Sequence, residues 1–167
     1  MKQKISRKYL EIKSLKDFKE VKKPSDNYSV NLADSKDFQL NKFCYREIGR
    51  KHKWIDRLSW NDLNWTKYIS NPKLFTYLLQ DGNEIVGYFE LVYETKTKVA
   101  EIAYFGIFEE YFGKKLGGYL LSEAIKCAFS KGAKRLWVHT CSNDHKNALN
   151  NYLSRGMKIF KTETLII

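Results

Sequence analysis

The chain has 167 residues, 43% hydrophobic and 15% aromatic, which is enough for one domain with a real core and too apolar for a disordered chain. Its formal net charge is +11, from 30 Lys and Arg against 19 Asp and Glu. No apolar run approaches the roughly 20 residues of a membrane helix, no apolar stretch follows the basic start Met1-Lys2-Gln3-Lys4-Ile5 as a secretory signal needs, and three cysteines without C-x-x-C spacing argue against a disulfide framework or a zinc site.

A reduced cytoplasm is therefore the expected compartment. The charge is uneven: before Pro24, nine lysines and arginines stand against Glu11, Asp17 and Glu20. Most of these cations are lysines, which suit a solvated face, whereas base-edge readout favours Arg and Asn. Nucleic acid is thus not the expected partner. A nucleic-acid-binding domain would show binding that falls steeply with salt and disappears with the residues before Pro24.

Residues 1–27 read as a basic extension, packed on the domain or partly mobile, with apolar spots at Tyr9-Leu10, Ile12, Leu15 and Phe18. Residues 28–167 read as a single domain. Tyr28-Ser29-Val30-Asn31-Leu32 alternates as a first strand should. Asp34-Ser35 offers an N-cap, and Phe38, Phe43, Tyr45 and Ile48 give a helical stripe that stops at Gly49. Ser59-Trp60-Asn61-Asp62 resembles a capping box and opens a second helix to about Ile69, before Asn71-Pro72. Residues 74–79 and 84–93 read as a hairpin across Asp81-Gly82-Asn83.

A third strand spans residues 99–107. It leads through the glycine-rich loop Gly113-Lys114-Lys115-Leu116-Gly117-Gly118 into a helix carrying Leu121, Ala124, Ile125 and Ala128, which ends at Lys131-Gly132. Residues 135–140 form a strand, Asn143 or Asp144 caps a helix through Tyr152 to Gly156, and residues 157–167 supply final strand material. This order predicts an α/β fold with a mixed, mostly antiparallel sheet of about six to seven strands and helices on both faces.

Within it, Tyr104-Phe105-Gly106-Ile107, the loop and Tyr119-Leu120-Leu121 aim backbone N–H groups and the positive end of a helix dipole at one point, which suits a pyrophosphate. Gly113 and Gly118 have the outer spacing of a P-loop, but Tyr119-Leu120 stands where Lys-Ser/Thr is required. No G-x-G-x-x-G is present, which removes the Rossmann fingerprint.

The stretch resembles the acyl-CoA-binding loop of the GNAT acetyltransferase superfamily, Arg/Gln-x-x-Gly-x-Gly/Ala, laid over Phe112-Gly113-Lys114-Lys115-Leu116-Gly117. Only the final glycine matches. The flanks extend the likeness: Glu101-Ile102-Ala103-Tyr104 resembles the family's central strand, and Ala148-Leu149-x-x-Tyr152-x-x-x-Gly156-Met157 its Ala-x-x-x-Tyr-x-x-x-Gly-Phe segment. The resemblance runs from about residue 74 to the C-terminus. Trp137-Val138-His139-Thr140-Cys141 with Asp144-His145 is similar to a bacterial GNAT subgroup without a well-defined substrate.

The resemblance implies direct transfer of an acetyl group from acetyl-CoA to a primary amine of a small molecule, peptide or protein, without a metal, by a monomer or homodimer. It also implies roles for particular residues. Glu101 lies inside an apolar strand and, with a period of two, shares a face with Ala103, Phe105 and Ile107. It is either a structural ion pair or a general base acting through water on the incoming ammonium, as a similarly placed glutamate does in some family members. Tyr152 stands where the family commonly places an acid for the departing thiolate; the alternative is a core tyrosine.

Phe105, Gly106 and Ile107 would pair through their backbone with the pantetheine arm. The loop from Phe112 to Gly118 would hold phosphates through its amides, with Lys114 or Lys115 adding charge, although Phe112 replaces Arg/Gln and Lys115 replaces a glycine. His145 stands where many members carry Asn near the pantetheine. On the acceptor side, Arg46, Trp54 and Arg57 either hold a metabolite or belong to the core. His139 and Cys141 share a strand face, but i,i+2 side chains are about 7 Å apart, too far for a nucleophile–base pair. A non-catalytic acyl-CoA-binding or regulatory module is the alternative function, suggested by the altered loop.

Overall fold

A computed structural model describes residues 1–34 and 37–167 of the protein. In chain order the elements are β1 (Lys4–Ile12), β2 (Tyr28–Leu32), α1 (Phe38–His52), α2 (Asp62–Ile69), β3 (Leu74–Asp81), β4 (Glu84–Glu94), β5 (Val99–Ile107), a 3-10 turn (Glu109–Tyr111), α3 (Leu116–Ser130), β6 (Arg135–Cys141), α4 (Ala148–Ser154) and β7 (Lys158–Ile166). The strands form one seven-stranded sheet in the order β2-β3-β4-β5-β6-β1-β7. Every pairing is antiparallel except β5 with β6, as the expected mixed sheet requires.

Each face of the sheet has its own cover. Leu116, Leu120, Leu121, Ala124, Ile125 and Ala128 give α3 a buried stripe at helical spacing, packed against Leu10, Ile102, Leu136 and Val138. Cys44 and Ile48 of α1 close over Tyr88 on the opposite face. A single fully buried leucine in such a layer contributes about 1.5–3 kcal/mol. Among the described residues no helix is long and apolar enough to cross a membrane.

The hairpin of β3 and β4 turns at Gly82-Asn83 with Asp81 opposite Glu84, close to the expected bounds. Helix α1 runs past Gly49 and ends at Lys53, a left-handed residue with φ of 55°. Its N-cap is Asp37, whose carboxylate accepts from the Gln39 amide; Ser35 of the expected cap lies outside the described residues. The cap of α2 is Asn61, in a reciprocal box with Asn64.

The largest difference from expectation is at the N-terminus. Residues 4–12, read as part of an extension, form β1, which pairs with β6 on one side and β7 on the other. The strand escaped notice because Ile5 is buried on one of its faces and Leu10 and Ile12 on the other, leaving no single alternating stripe. The charges between them are met by neighbours: Glu11 pairs with Arg135 at 2.5 Å. The segment that follows crosses α3 and α4. The Val21 amide donates to the Ser122 hydroxyl at 2.8 Å, the Lys19 amide to the Arg155 carbonyl at 3.0 Å, and Glu20 pairs with Lys126 at 2.8 Å. Gly156, at φ of 104°, permits this crossing, because a Cβ there would lie 1.9 Å from the Asp17 carbonyl oxygen.

Candidate active site

Pairing between β5 and β6 lasts only from Val99 and Arg135 to Glu101 and Trp137. Beyond it β5 stays with β4 as far as Ile107, while β6 stays with β1 as far as Cys141, so the two strands part. A cavity of about 700 Å³ opens in the parting. It is lined by Phe105, Gly106 and Ile107, by Gly113, Lys115, Leu116, Gly117 and Gly118, and by Tyr152 of α4. One backbone edge of β5 beyond Glu101 is thus left for a ligand instead of a strand. Gly106 serves packing on the other side: a Cβ there would lie 2.4 Å from Ile48 of α1.

The glycine loop turns through two left-handed residues, Gly113 at φ of 79° and Lys115 at φ of 62°. Lys115 is the N-cap of α3 and adds no side-chain cap, so first-turn amides of that helix remain available beside the cavity. Lys114 is not in the cavity wall, but its ammonium lies 5.0 Å over the ring of Tyr111, which is. Phe112 packs edge-on against His145 at 4.8 Å, so two of the three departures from the family pattern touch each other. His145 Nδ1 accepts from the Asn147 amide at 3.0 Å, which fixes the ring at the start of α4.

Arg155 also lines this end of the cavity, and sequence reasoning missed it. Its guanidinium lies against α3, where a Cβ on Gly118 would come within 2.6 Å of Nη1. Its Nε is buried and makes no hydrogen bond among the described residues. Burial holds its pKa below the ordinary arginine value. A basic residue directly before Gly156 was the available signal.

Tyr152 is 6% exposed, and its ring stands 6.2 Å from that of Phe105. Burial, aided by the Asp144 carboxylate, raises the phenol pKa well above its usual range, so it keeps its proton at neutral pH. Asp144, expected as a possible helix cap, instead accepts from the Thr140 hydroxyl at 2.5 Å and the Cys141 amide at 3.0 Å.

On the α1 side the outcome is different. The β4–β5 register shifts so that Ile102 faces Leu91 and Tyr104 faces Glu90, leaving Ala103 as an extra residue. This bulge reverses the alternation. Ile102 and Phe105 both join the α3-side core, while Tyr104 packs on the α1 side, 5.1 Å from Tyr45 and 4.8 Å from Trp54. Glu101 therefore shares a face with Tyr104, not with Phe105 and Ile107 as strict alternation predicts. Its carboxyl pKa is raised by burial, against the opposing pull of the Arg57 cation. It sits at the closed end of the parting, outside the cavity lining.

The buried ion pair of this region belongs to other residues. Arg57 meets Glu90 at 3.0 Å, with the two side chains 6% and 0% exposed, and Glu90 also accepts from Asn41 and Tyr68. The Arg57 guanidinium is sandwiched over the Tyr68 and Tyr104 rings at 4.0 and 4.2 Å. Of the three acceptor-side candidates, only Trp54 lines the cavity; Arg57 is part of the core, and Arg46 is exposed on α1.

In their place the structure brings Asp56, Arg7 and all three histidines of the chain, His52, His139 and His145, to the cavity wall. Burial lowers the pKa of both His52 and His139. For His139 the signal was the alternation of β6, where Leu136, Val138 and Thr140 are buried and His139 takes the other face. The Cys141 thiol is pushed up by burial and by Asp144, which fits a structural cysteine.

A model of the acetyltransferase (GNAT) family matches residues 38–157. A search of curated proteins finds no match. Among solved structures, the GCN5-related N-acetyltransferase from Sphaerobacter thermophilus is similar with a TM-score of 0.75 at 13% identity, over 97% of this chain and 50% of that one. An IAA acetyltransferase from Bacillus cereus gives 0.60 at 22% identity, over 80% and 79%. An aminoglycoside acetyltransferase from an uncultured soil metagenomic sample, solved with trehalose, gives 0.64 at 14% identity, over 80% and 90%. The chain thus spans about half the length of the Sphaerobacter protein. With the family model covering α1 through α4 and the parted strands in its midst, this chain belongs to the GNAT acetyltransferase family.

Proposed function

We propose that this chain binds acetyl-CoA in the parting between β5 and β6 and transfers the acetyl group directly to a primary amine presented from the α1 side. The observation that carries this reading is the meeting of three features on one cavity: the unpaired edge of β5, the N-terminus of α3 and the protonated phenol of Tyr152. The family implies an acyl-CoA donor, and the residues present fit one. The first-turn amides of α3, the Lys115 loop and the Arg155 guanidinium form a donor-rich surface suited to a diphosphate.

When bound, acetyl-CoA supplies the activated carbonyl and a thiolate leaving group. The edge of β5 at Phe105, Gly106 and Ile107 holds the extended arm as an added strand would, and one of its N–H groups faces the developing oxyanion. His139, kept neutral by burial and on the acceptor face, takes the amine's proton. Glu101, deeper in the parting, acts only through water. Tyr152 gives its proton to the thiolate. The raised Cys141 pKa is consistent with direct transfer, with no acyl group passed to the protein.

The test is release of free thiol from acetyl-CoA across a panel of amines, with wild type and Tyr152→Phe compared. The expected result is turnover with one amine class, a kcat lowered roughly tenfold or more by the substitution, and unchanged CoA affinity. A protein that CoA does not stabilise against thermal unfolding would overturn the reading. A second reading, a non-catalytic acyl-CoA-binding module, is favoured by Phe112 and Lys115 in the loop. It predicts stabilisation by CoA with no turnover of any amine.

A further inference from the structure

The acceptor side of the cavity contains an arginine, Arg7, whose nearest carboxylate is shared with other groups. Arg7 lies on β1 directly opposite Cys141 of β6, and Tyr9 lies opposite His139. Residues opposed in this way share a face, so Arg7 and His139 stand together on the α1 side of the sheet. Both line the cavity.

Arg7 reaches only one carboxylate among the described residues, Glu163 of β7, at 3.7 Å from Nη1. Glu163 is already engaged: it accepts the Tyr9 hydroxyl at 2.5 Å and lies 3.5 Å from the Lys161 ammonium. The Nε of Arg7 is buried and makes no hydrogen bond among the described residues. With Nε closed off, the part-exposed Nη end of the guanidinium is what a ligand carboxylate can reach, through charge-assisted hydrogen bonds.

An acidic group lines the same cavity. Asp56 accepts the Tyr104 hydroxyl at 3.2 Å beside Trp54, and it is exposed enough to meet a charged ligand. His139 senses these charges: the Arg7 cation lowers its pKa, and the Asp144, Asp56 and Glu163 carboxylates raise it. The wall thus presents a cation, a carboxylate and a neutral imidazole within one another's field. That set complements a ligand carrying a primary amine and an anionic group together.

We propose that the acceptor is a small zwitterion of amino-acid type, whose carboxylate is held by the Nη end of the Arg7 guanidinium while its amine lies between Asp56 and His139. This inference rests on the acetyltransferase reading above. It makes Arg7 the specificity-determining residue and disfavours polyamines and polycationic antibiotics, which Arg7 would repel.

The experiment measures acetylation of matched acceptors: an amino acid, its carboxamide and its decarboxylated amine, at fixed acetyl-CoA. Wild type is expected to prefer the acid over the carboxamide by about tenfold or more in kcat/KM, chiefly through KM. In Arg7→Gln the ratio should fall to near unity, with affinity for CoA held to within about twofold, and Arg7→Lys should restore part of the preference. Equal use of acid and carboxamide by wild type, or an unchanged ratio in a folded Arg7→Gln, would overturn the proposal. Acetylation confined to neutral or polycationic amines would sink it while leaving the acetyltransferase reading intact. Binding of CoA without acetylation of any amine would sink both. If Arg7→Gln does not fold, the acid-to-carboxamide ratio of wild type decides.

Discussion

Burial drives Tyr152 and His139 toward their uncharged forms, and for these two residue types that means opposite proton states. The phenol keeps its proton and is ready to give it; the imidazole has lost its own and is ready to take one. For His139, desolvation is the first cause and the Arg7 cation the second, and both act downward from the ordinary 6.5. The acid limb of kcat/KM should therefore lie below pH 6.5, because His139 must be neutral to act and protonates only at lower pH than a free imidazole. Arg7→Gln should move that limb upward by removing one cause, and His139→Gln should abolish it along with most of the turnover. A pH profile with saturating acetyl-CoA would show either. A limb unmoved in both variants would assign the proton to another group, with Glu101 next in line.

At the scale of elements, the contact between Phe112 and His145 ties the loop before α3 to the start of α4. Each residue alone reads as damage to a family motif. Together they form an edge-to-face pair that holds the two sides of the cavity mouth, extended through His52 at 5.9 Å from His145. Phe112→Arg and His145→Asn, each restoring the family residue, should be non-additive. A double-mutant cycle on CoA affinity is expected to give a coupling of about 0.5–1.5 kcal/mol, whereas independent sites would give none.

Elements whose signals are local were legible from the sequence. The hairpin was marked by Gly82, β5 by its run of apolar residues, and α3 by its stripe. What was not legible depends on pairing. The bulge at Ala103 exists only against β4, and it moves Glu101 to the acceptor face. The buried ion pair of Arg57 needs Glu90 from a different strand. Arg7, Asp56 and His139 meet only because the sheet brings β1 beside β6 and the α1 side closes over the parting. Tyr152 was legible only through the resemblance of residues 148–157 to the family's segment.

For the molecule as a whole, β1 decides whether the sheet closes. Among the described residues it alone bridges β6 and β7, and it carries Arg7 to the cavity wall. Removal of residues 1–12 would leave β6 with an unpaired inner edge and detach β7 from the sheet. The truncated chain is expected to lose its cooperative urea transition or to aggregate through the exposed edges. A sharp transition at the full-length midpoint would show instead that the strand is dispensable. Its position also sets a schedule. β1 precedes the other strands in sequence, whereas its two partners, residues 135–141 and 158–166, come after β2 to β5. Contacts between β1 and these late strands close the longest loops of the sheet, so protease resistance should arrive late in refolding and slowly for the domain's size.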